Sequence, residues 1–146
     1  MKARIQKETV LLYHLSEDTV RGKKIRDGLR EMGIGIIDLS EEQLGEKLGY
    51  CAGMHGFSPA AEPYTGEVFP EEVMIMKDLS QSRLGRMFQK LQADGVELPG
   101  LKAMVTQYNK DWPLYQLFAE LSREHAAFVE QEAQRAQAKT SDETEH

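Results

Sequence analysis

Glu8-Thr9-Val10-Leu11-Leu12-Tyr13-His14-Leu15-Ser16 and Glu72-Val73-Met74-Ile75-Met76-Lys77-Asp78-Leu79-Ser80 align without a gap, and both end in Leu-Ser. Within each stretch apolar residues stand on successive positions and do not alternate with polar ones. That is the pattern of a strand buried on both faces. Serine after a strand is well suited to accept hydrogen bonds from the free N–H groups of a helix's first turn. Leu39-Ser40 repeats the transition, and after Met104-Val105-Thr106 the residues Asn109 and Asp111 stand in place of the serine. Four strand-to-helix turns are therefore expected.

The intervening segments carry the helical period. After Ser16, Val20, Ile25, Leu29 and Met32 form an imperfect apolar stripe opposite a basic face of Arg21, Lys23, Lys24, Arg26 and Arg30, and Gly33 ends the helix. Ile34 to Ile37 reads as strand two. Ser40-Glu41-Glu42-Gln43 matches a capping box, ahead of a helix with Leu44, Leu48 and Cys51 on one face. In the second half, Leu84, Met87, Phe88 and Leu91 share a face, Gly95 ends that helix, and Ala103 to Val105 reads as strand four. Leu114, Leu117, Phe118 and Leu121 open a last helix that runs on toward Ala136.

The plan is thus β-α-β-α twice, which suggests an internal duplication. We read an α/β fold: a four-stranded sheet with helices on both faces. The alternative is a ferredoxin-like α+β sandwich with an antiparallel sheet. The choice bears on function. In a parallel sheet all four helix N-termini gather at the carboxyl ends of the strands and favour an anion there; in an antiparallel one they divide. A single domain is expected over residues 1–139. Its halves span 8–52 and 71–139, joined by a Gly/Pro-rich connector at 53–70 and followed by a polar tail at 140–146. Phe57, Tyr64 and Phe69 predict that the connector packs on the body.

The chain has 146 residues and a net charge of −6. Charge alternates in blocks, basic over 1–30 and 73–110, acidic over 31–72 and 111–146. Net acidity argues against nucleic acid as a partner, since phosphate binding needs clustered Lys and Arg; the basic face of the first helix is the one exception. The N-terminus lacks the apolar core of a signal peptide, and no apolar run is long enough to span a bilayer, so the expected location is the cytoplasm, away from membranes. Cys51 is the single cysteine, which excludes an internal disulfide.

No phosphate-cradling Gly-Lys-Ser/Thr loop, G-x-G-x-x-G or G-x-S-x-G occurs, and no cofactor or metal is expected. Thr106, Asn109 and Trp112 read either as a binding loop or as a turn in which Asn109 or Asp111 caps a helix, Pro113 enters its first turn and Trp112 anchors the loop. Cys51 and His55 have the spacing of a nucleophile and base, but nothing completes a catalytic set. His14 closes the first strand, aligned with Asp78, and His125 lies on the last helix; each is a lone histidine. Glu67, Glu71 and Glu72 are carboxylates that either do acid–base work or stand in water.

Residues 71–125 resemble an uncharacterised bacterial domain of unknown function. The specific part is Lys102-Ala103-x-x-Thr106-x-x-Asn109-x-x-Trp112, supported by Glu72 to Met76, Leu117, Glu120-Leu121 and Glu124-His125. Longer members of that family carry a first half like this one, with Leu48-Gly49-Tyr50, Gly56-Phe57 and Gly66-Glu67. The resemblance implies a small cytoplasmic protein with no assigned activity or catalytic residues.

The expectation is a non-enzymatic binding, regulatory or protein-interaction domain that pairs with a second copy or another protein. The alternative is a protein for a small anionic ligand, or a minor enzyme, with its site between the 53–70 loop and the Thr106–Trp112 loop. Thr106, Asn109, Trp112, His14, His55 and Glu67 are the candidate ligand-binding residues.

Overall fold

The computed structural model describes residues 8–144. The basic residues 1–7 and residues 145–146 of the expected tail lie outside the described part. The elements are β1 (Thr9–Tyr13), α1 (Val20–Glu31), β2 (Gly35–Leu39), a 3-10 turn (Glu41–Gly45), α2 (Leu48–Cys51), β3 (Val73–Lys77), α3 (Gln81–Ala93), β4 (Leu101–Met104) and α4 (Leu114–Thr144). The strands form one sheet in the order β2-β1-β3-β4. β1 pairs with β2 and β3 with β4 in parallel, and the two pairs meet through an antiparallel β1–β3 contact.

The fold is α/β with helices on both faces of the sheet. Val10, Leu12, Met74 and Met76 point to one face, where they pack with Ile25 and Leu29 of α1 and Met87 and Leu91 of α3. Leu11, Tyr13, Val73 and Ile75 point to the other, against Leu44, Leu48, Leu114, Leu117 and Phe118, with Phe69 and Tyr64 of the connector closing over them. All of these strand residues are essentially inaccessible to solvent. This two-sided burial explains the unbroken apolar runs.

The strand directions settle two alternatives that the sequence left open. The ferredoxin-like alternative does not hold, because both outer pairs are parallel. Nor is the sheet parallel throughout. β1 and β3 run in opposite directions, so α1 and α3 start at opposite ends of the sheet, and the argument that four helix N-termini gather around one anion fails.

The antiparallel contact joins equivalent positions. Leu11 faces Ile75, its own counterpart in the alignment, and the flanking pairs follow symmetrically from Thr9↔Lys77 to Tyr13↔Val73. The same relation recurs in ion pairs that tie the halves together. Arg83 of α3 donates to Glu8 (2.7 Å) and to the Met32 carbonyl (2.6 Å). Arg21 of α1 donates to Glu72 (2.6 Å) and to the Glu97 carbonyl (2.5 Å). Hydrogen bonding to Arg83 holds the Glu8 carboxyl below its usual range, against a smaller opposing effect of burial.

Local chemistry sets the helix starts. Ser80 caps α3 as expected, its hydroxyl accepting from the Arg83 N–H at 3.1 Å. Ser16 does not cap α1. Three further residues intervene, Ser16 Oγ accepts from Asp18 N–H (3.1 Å), and Thr19 takes the cap by accepting from Gly22 N–H (2.9 Å). The segment after Ser40 forms a 3-10 turn and the short α2 in place of one continuous helix. The basic face of α1 is also not what its helical spacing implies. Arg26 is 3 % exposed and donates to the Leu15 carbonyl (2.7 Å) and to Asp38 (2.5 Å). With Arg26 buried and Arg21 paired, the exposed basic residues of that face are Lys23, Lys24 and Arg30, and Lys23 and Arg30 each lie beside Asp27.

Candidate functional site

The turn after β4 consumes the side chains that marked it as a binding loop. Asn109 is buried, and both ends of its amide are occupied: Oδ1 accepts from Thr106 N–H (2.7 Å) and Nδ2 donates to the Met104 carbonyl (2.9 Å) on the edge strand. Thr106 Oγ1 accepts from the N–H groups of Tyr108 (3.2 Å) and Asn109 (3.0 Å). Asn109 therefore closes a turn and does not cap α4. Trp112, partly buried, packs against the core. The first half makes the same turn, with Ser40 N–H donating to Gln43 Oε1 at 2.9 Å.

The two turns lock together. Leu48 N–H donates to the Trp112 carbonyl and Leu114 N–H to the Glu46 carbonyl, each at 2.9 Å, with Lys47 opposite Pro113 between them. Gly49 N–H adds a bond to the Lys110 carbonyl (2.8 Å). The start of α2 is thereby satisfied by the chain itself.

Over this junction the connector builds a wall. Ala60 N–H donates to Glu46 Oε1 (2.7 Å), and the Phe57 ring lies so close to Gly49 that a Cβ there would fall 2.4 Å from it. Between wall and junction is a cleft of about 610 Å³, lined by Lys47, His55, Gly56, Ser58, Lys110 and Asp111 among others. Among the described residues, neither the Lys47 nor the Lys110 ammonium has a hydrogen-bond or ion-pair partner. The cleft lies between the two loops from which a site was expected, but of the six candidates only His55 lines it.

The other candidates lie elsewhere. Thr106, Asn109 and Trp112 border a smaller cleft of about 310 Å³ between β4 and α4. His14 borders a third, of about 370 Å³, at the ends of β1 and β2. Its Nε2 lies 2.7 Å from Glu41 Oε2, and its ring stacks on Tyr13. Its backbone φ of 59° is matched by 64° at Asp78, so the unusual conformation belongs to a turn made twice. Antiparallel β1 and β3 put His14 and Asp78 at opposite ends of the sheet, which separates the pair. Glu67 is exposed and lines none of these three clefts; its carbonyl accepts from the Tyr64 hydroxyl at 2.6 Å. Glu72 is held by Arg21. Among the described residues no group of three or more His, Cys, Asp or Glu could hold a metal ion.

Cys51 is buried, and burial, followed by the nearby Glu46 charge, pushes its thiol up to about 12. Attack requires the thiolate, so the Cys51–His55 spacing does not make a nucleophile. The folded protein at pH 8 is expected to react with a thiol-specific disulfide reagent on the order of 100-fold more slowly than the same protein in denaturant, because burial both hinders access and disfavours the thiolate. Equal rates in the two states would contradict this burial.

Lys47 and Lys110 were not marked in advance. Each is an isolated lysine, and only the junction of the two turns brings them to one cleft.

No helix among the described residues is long and apolar enough to cross a membrane. No curated protein and no solved structure matches the chain. Residues 72–128 match a family model described as a domain of unknown function (DUF3783), and over this second half the chain is similar to that family.

Proposed function

We propose that this chain is a non-enzymatic binding domain, built by internal duplication, that holds a small anion between Lys47 and Lys110. The observation that carries the reading is that two lysines with no carboxylate partner among the described residues line one cleft, together with the single carboxylate of Asp111. Arg21, Arg26, Lys77, Arg83 and Lys90 each have a carboxylate partner. Lys47 and Lys110 have none among the described residues, yet both line the same cavity of about 610 Å³. In a molecule of net charge −6, two ammonium groups that open on one cleft favour a phosphate or carboxylate there. His55 and Ser58 supply further hydrogen-bonding groups at the rim. A binding role is favoured over an enzymatic one because Thr106 and Asn109 are engaged in the turn and the Cys51 thiol is buried. The equivalence of Leu11 with Ile75, and of the Ser40 and Thr106 turns, supports the duplication. The resemblance of the Thr106-x-x-Asn109-x-x-Trp112 string supports a bacterial, cytoplasmic protein.

The test is thermal unfolding in the presence of phosphate monoesters and short dicarboxylates. A ligand at about 100 times its dissociation constant adds ~2.7 kcal/mol and raises the melting temperature by roughly 8 °C for a domain of this size. K47E and K110E are each expected to abolish that rise while leaving the melting temperature without ligand within about 2 °C. A shift that persists in both variants, or no shift with any of these anions, would remove the proposal.

A further inference from the structure

β4 is an edge strand whose outer side is open. Along a parallel pair, the residues of a strand alternate between bonding to their neighbour and facing away from it. Val105 N–H donates to the Met76 carbonyl (2.9 Å), so Leu101 and Ala103 hold β3 while Lys102 and Met104 face away. Asn109 Nδ2 closes the Met104 carbonyl (2.9 Å). Among the described residues, the N–H and carbonyl of Lys102 and the N–H of Met104 have no partner. Unpaired groups of this kind are a template for another strand. A lysine on an edge often guards it, but the Lys102 ammonium is drawn back to the Pro99 carbonyl (2.7 Å), before the start of the strand.

α4 runs antiparallel beside this edge. It starts just after the turn that follows β4, and its His125 lies against Gly100, just before β4. The cleft of about 310 Å³ between them is a groove with two unlike ends. Toward the turn its lining is apolar, with Trp112 and Leu117 followed by Leu121. Toward Gly100 it is acidic, because Glu120 and Glu124 lie on the same face of α4, at i+3 and i+7 from Leu117. Glu124 has no partner among the described residues. Glu120 shares Arg123, in an exposed pair of little strength.

We infer that this groove takes an extended segment of a partner protein, added as a strand to β4, with an apolar residue and a Lys or Arg two positions from it. Side chains at i and i+2 of a strand share a face, so a stretch of about three residues puts both into the groove. The apolar one rests on Trp112, Leu117 and Leu121. The basic one stands beside Glu120 and Glu124. Main-chain bonds to Lys102 and Met104 supply affinity, and the two side chains choose the partner. This groove shares no lining residue with the Lys47–Lys110 cleft, so the two sites stand or fall separately.

The probes are two blocked pentapeptides, Ac-Thr-Leu-Thr-Arg-Thr-amide and Ac-Thr-Arg-Thr-Leu-Thr-amide, one for each strand direction. Trp112 is the single tryptophan and reports binding by its fluorescence. One of the two peptides is expected to give a saturable change with a dissociation constant below about 1 mM. No saturable change with either up to about 5 mM overturns the inference. Glu in place of the peptide's Arg, and E124K at its exposed position in the full chain, are each expected to weaken binding about fivefold. An unchanged affinity in both overturns the choice of partner. Amide hydrogen exchange is expected to slow at Lys102 and Met104 when peptide is bound. Binding that leaves both amides unprotected means contact without strand addition. A free chain that is dimeric, with both amides already protected, means that a second copy holds the edge. Either result overturns the proposal.

Discussion

Replacing Phe118 by alanine is expected to cost ~3–5 kcal/mol of stability, the range for truncating a fully buried aromatic ring. The Phe118 side chain has no solvent exposure, and its ring centroid lies 4.9 Å from that of Tyr13 and 5.2 Å from that of Phe69. Three parts of the molecule meet there: α4, the central strand β1 and the end of the connector. Tyr13 further binds the connector by donating its hydroxyl hydrogen to the Phe69 carbonyl at 2.7 Å. Removing the ring leaves a void that none of these can fill without breaking that bond. Urea unfolding is the measurement, with a lower midpoint and an unchanged slope as the expected result. A loss below about 1 kcal/mol would mean that this aromatic group is not where α4 and the connector are held.

Gly22→Ala is expected to destabilise by about 3 kcal/mol, against the sign that helix propensity gives. On an exposed helix the change would add roughly 1 kcal/mol. Here the added Cβ would stand 1.8 Å from the Ser16 carbonyl oxygen and 2.9 Å from Thr19 Oγ1. The Ser16 carbonyl cannot simply move away, because it accepts from Thr19 N–H (3.3 Å) and Thr19 Oγ1 (2.9 Å), and Thr19 is the cap of α1. Relief of the clash therefore spoils the start of the helix, a form of overpacking at the upper end of its usual cost. Gly85 is the control: it lies in α3, and a Cβ there meets nothing within 4 Å. Gly85→Ala is expected to be neutral or stabilising in the same urea assay, and equal effects at the two glycines would refute the steric account.

These cases show what local sequence can and cannot carry. Leu79-Ser80 announced the start of α3 because the cap follows the strand directly. Leu15-Ser16 announced the wrong residue, since Glu17, Asp18 and Thr19 displace the cap by a turn. The direction of β3 against β1 was not legible. A strand buried on both faces looks the same in either direction, and residues 53–70 are long enough to serve both. Arg26 was misplaced for a related reason. Its position on the helix put it among solvated cations, while its partners are the Leu15 carbonyl and Asp38 of β2, which helical spacing does not reveal. The turn chemistry of Thr106 and Asn109 was readable from residue type. The presence of Lys47 and Lys110 on one cleft was not, because it depends on two turns far apart in sequence closing on each other.

The antiparallel contact between β1 and β3 also says something about how the chain reaches this state. Within each half the parallel strands pair residues 26 or 28 positions apart, whereas β1 and β3 pair residues 60 to 68 apart. Loop-closure entropy rises slowly with length, so the longer connection costs only ~1 kcal/mol more. What delays the central contact is that it has little to gain until each half has formed a surface to offer. The expected folding order is hierarchical, with the contact that buries Leu11 against Ile75 forming last; a φ-value near 1 at either residue would contradict it.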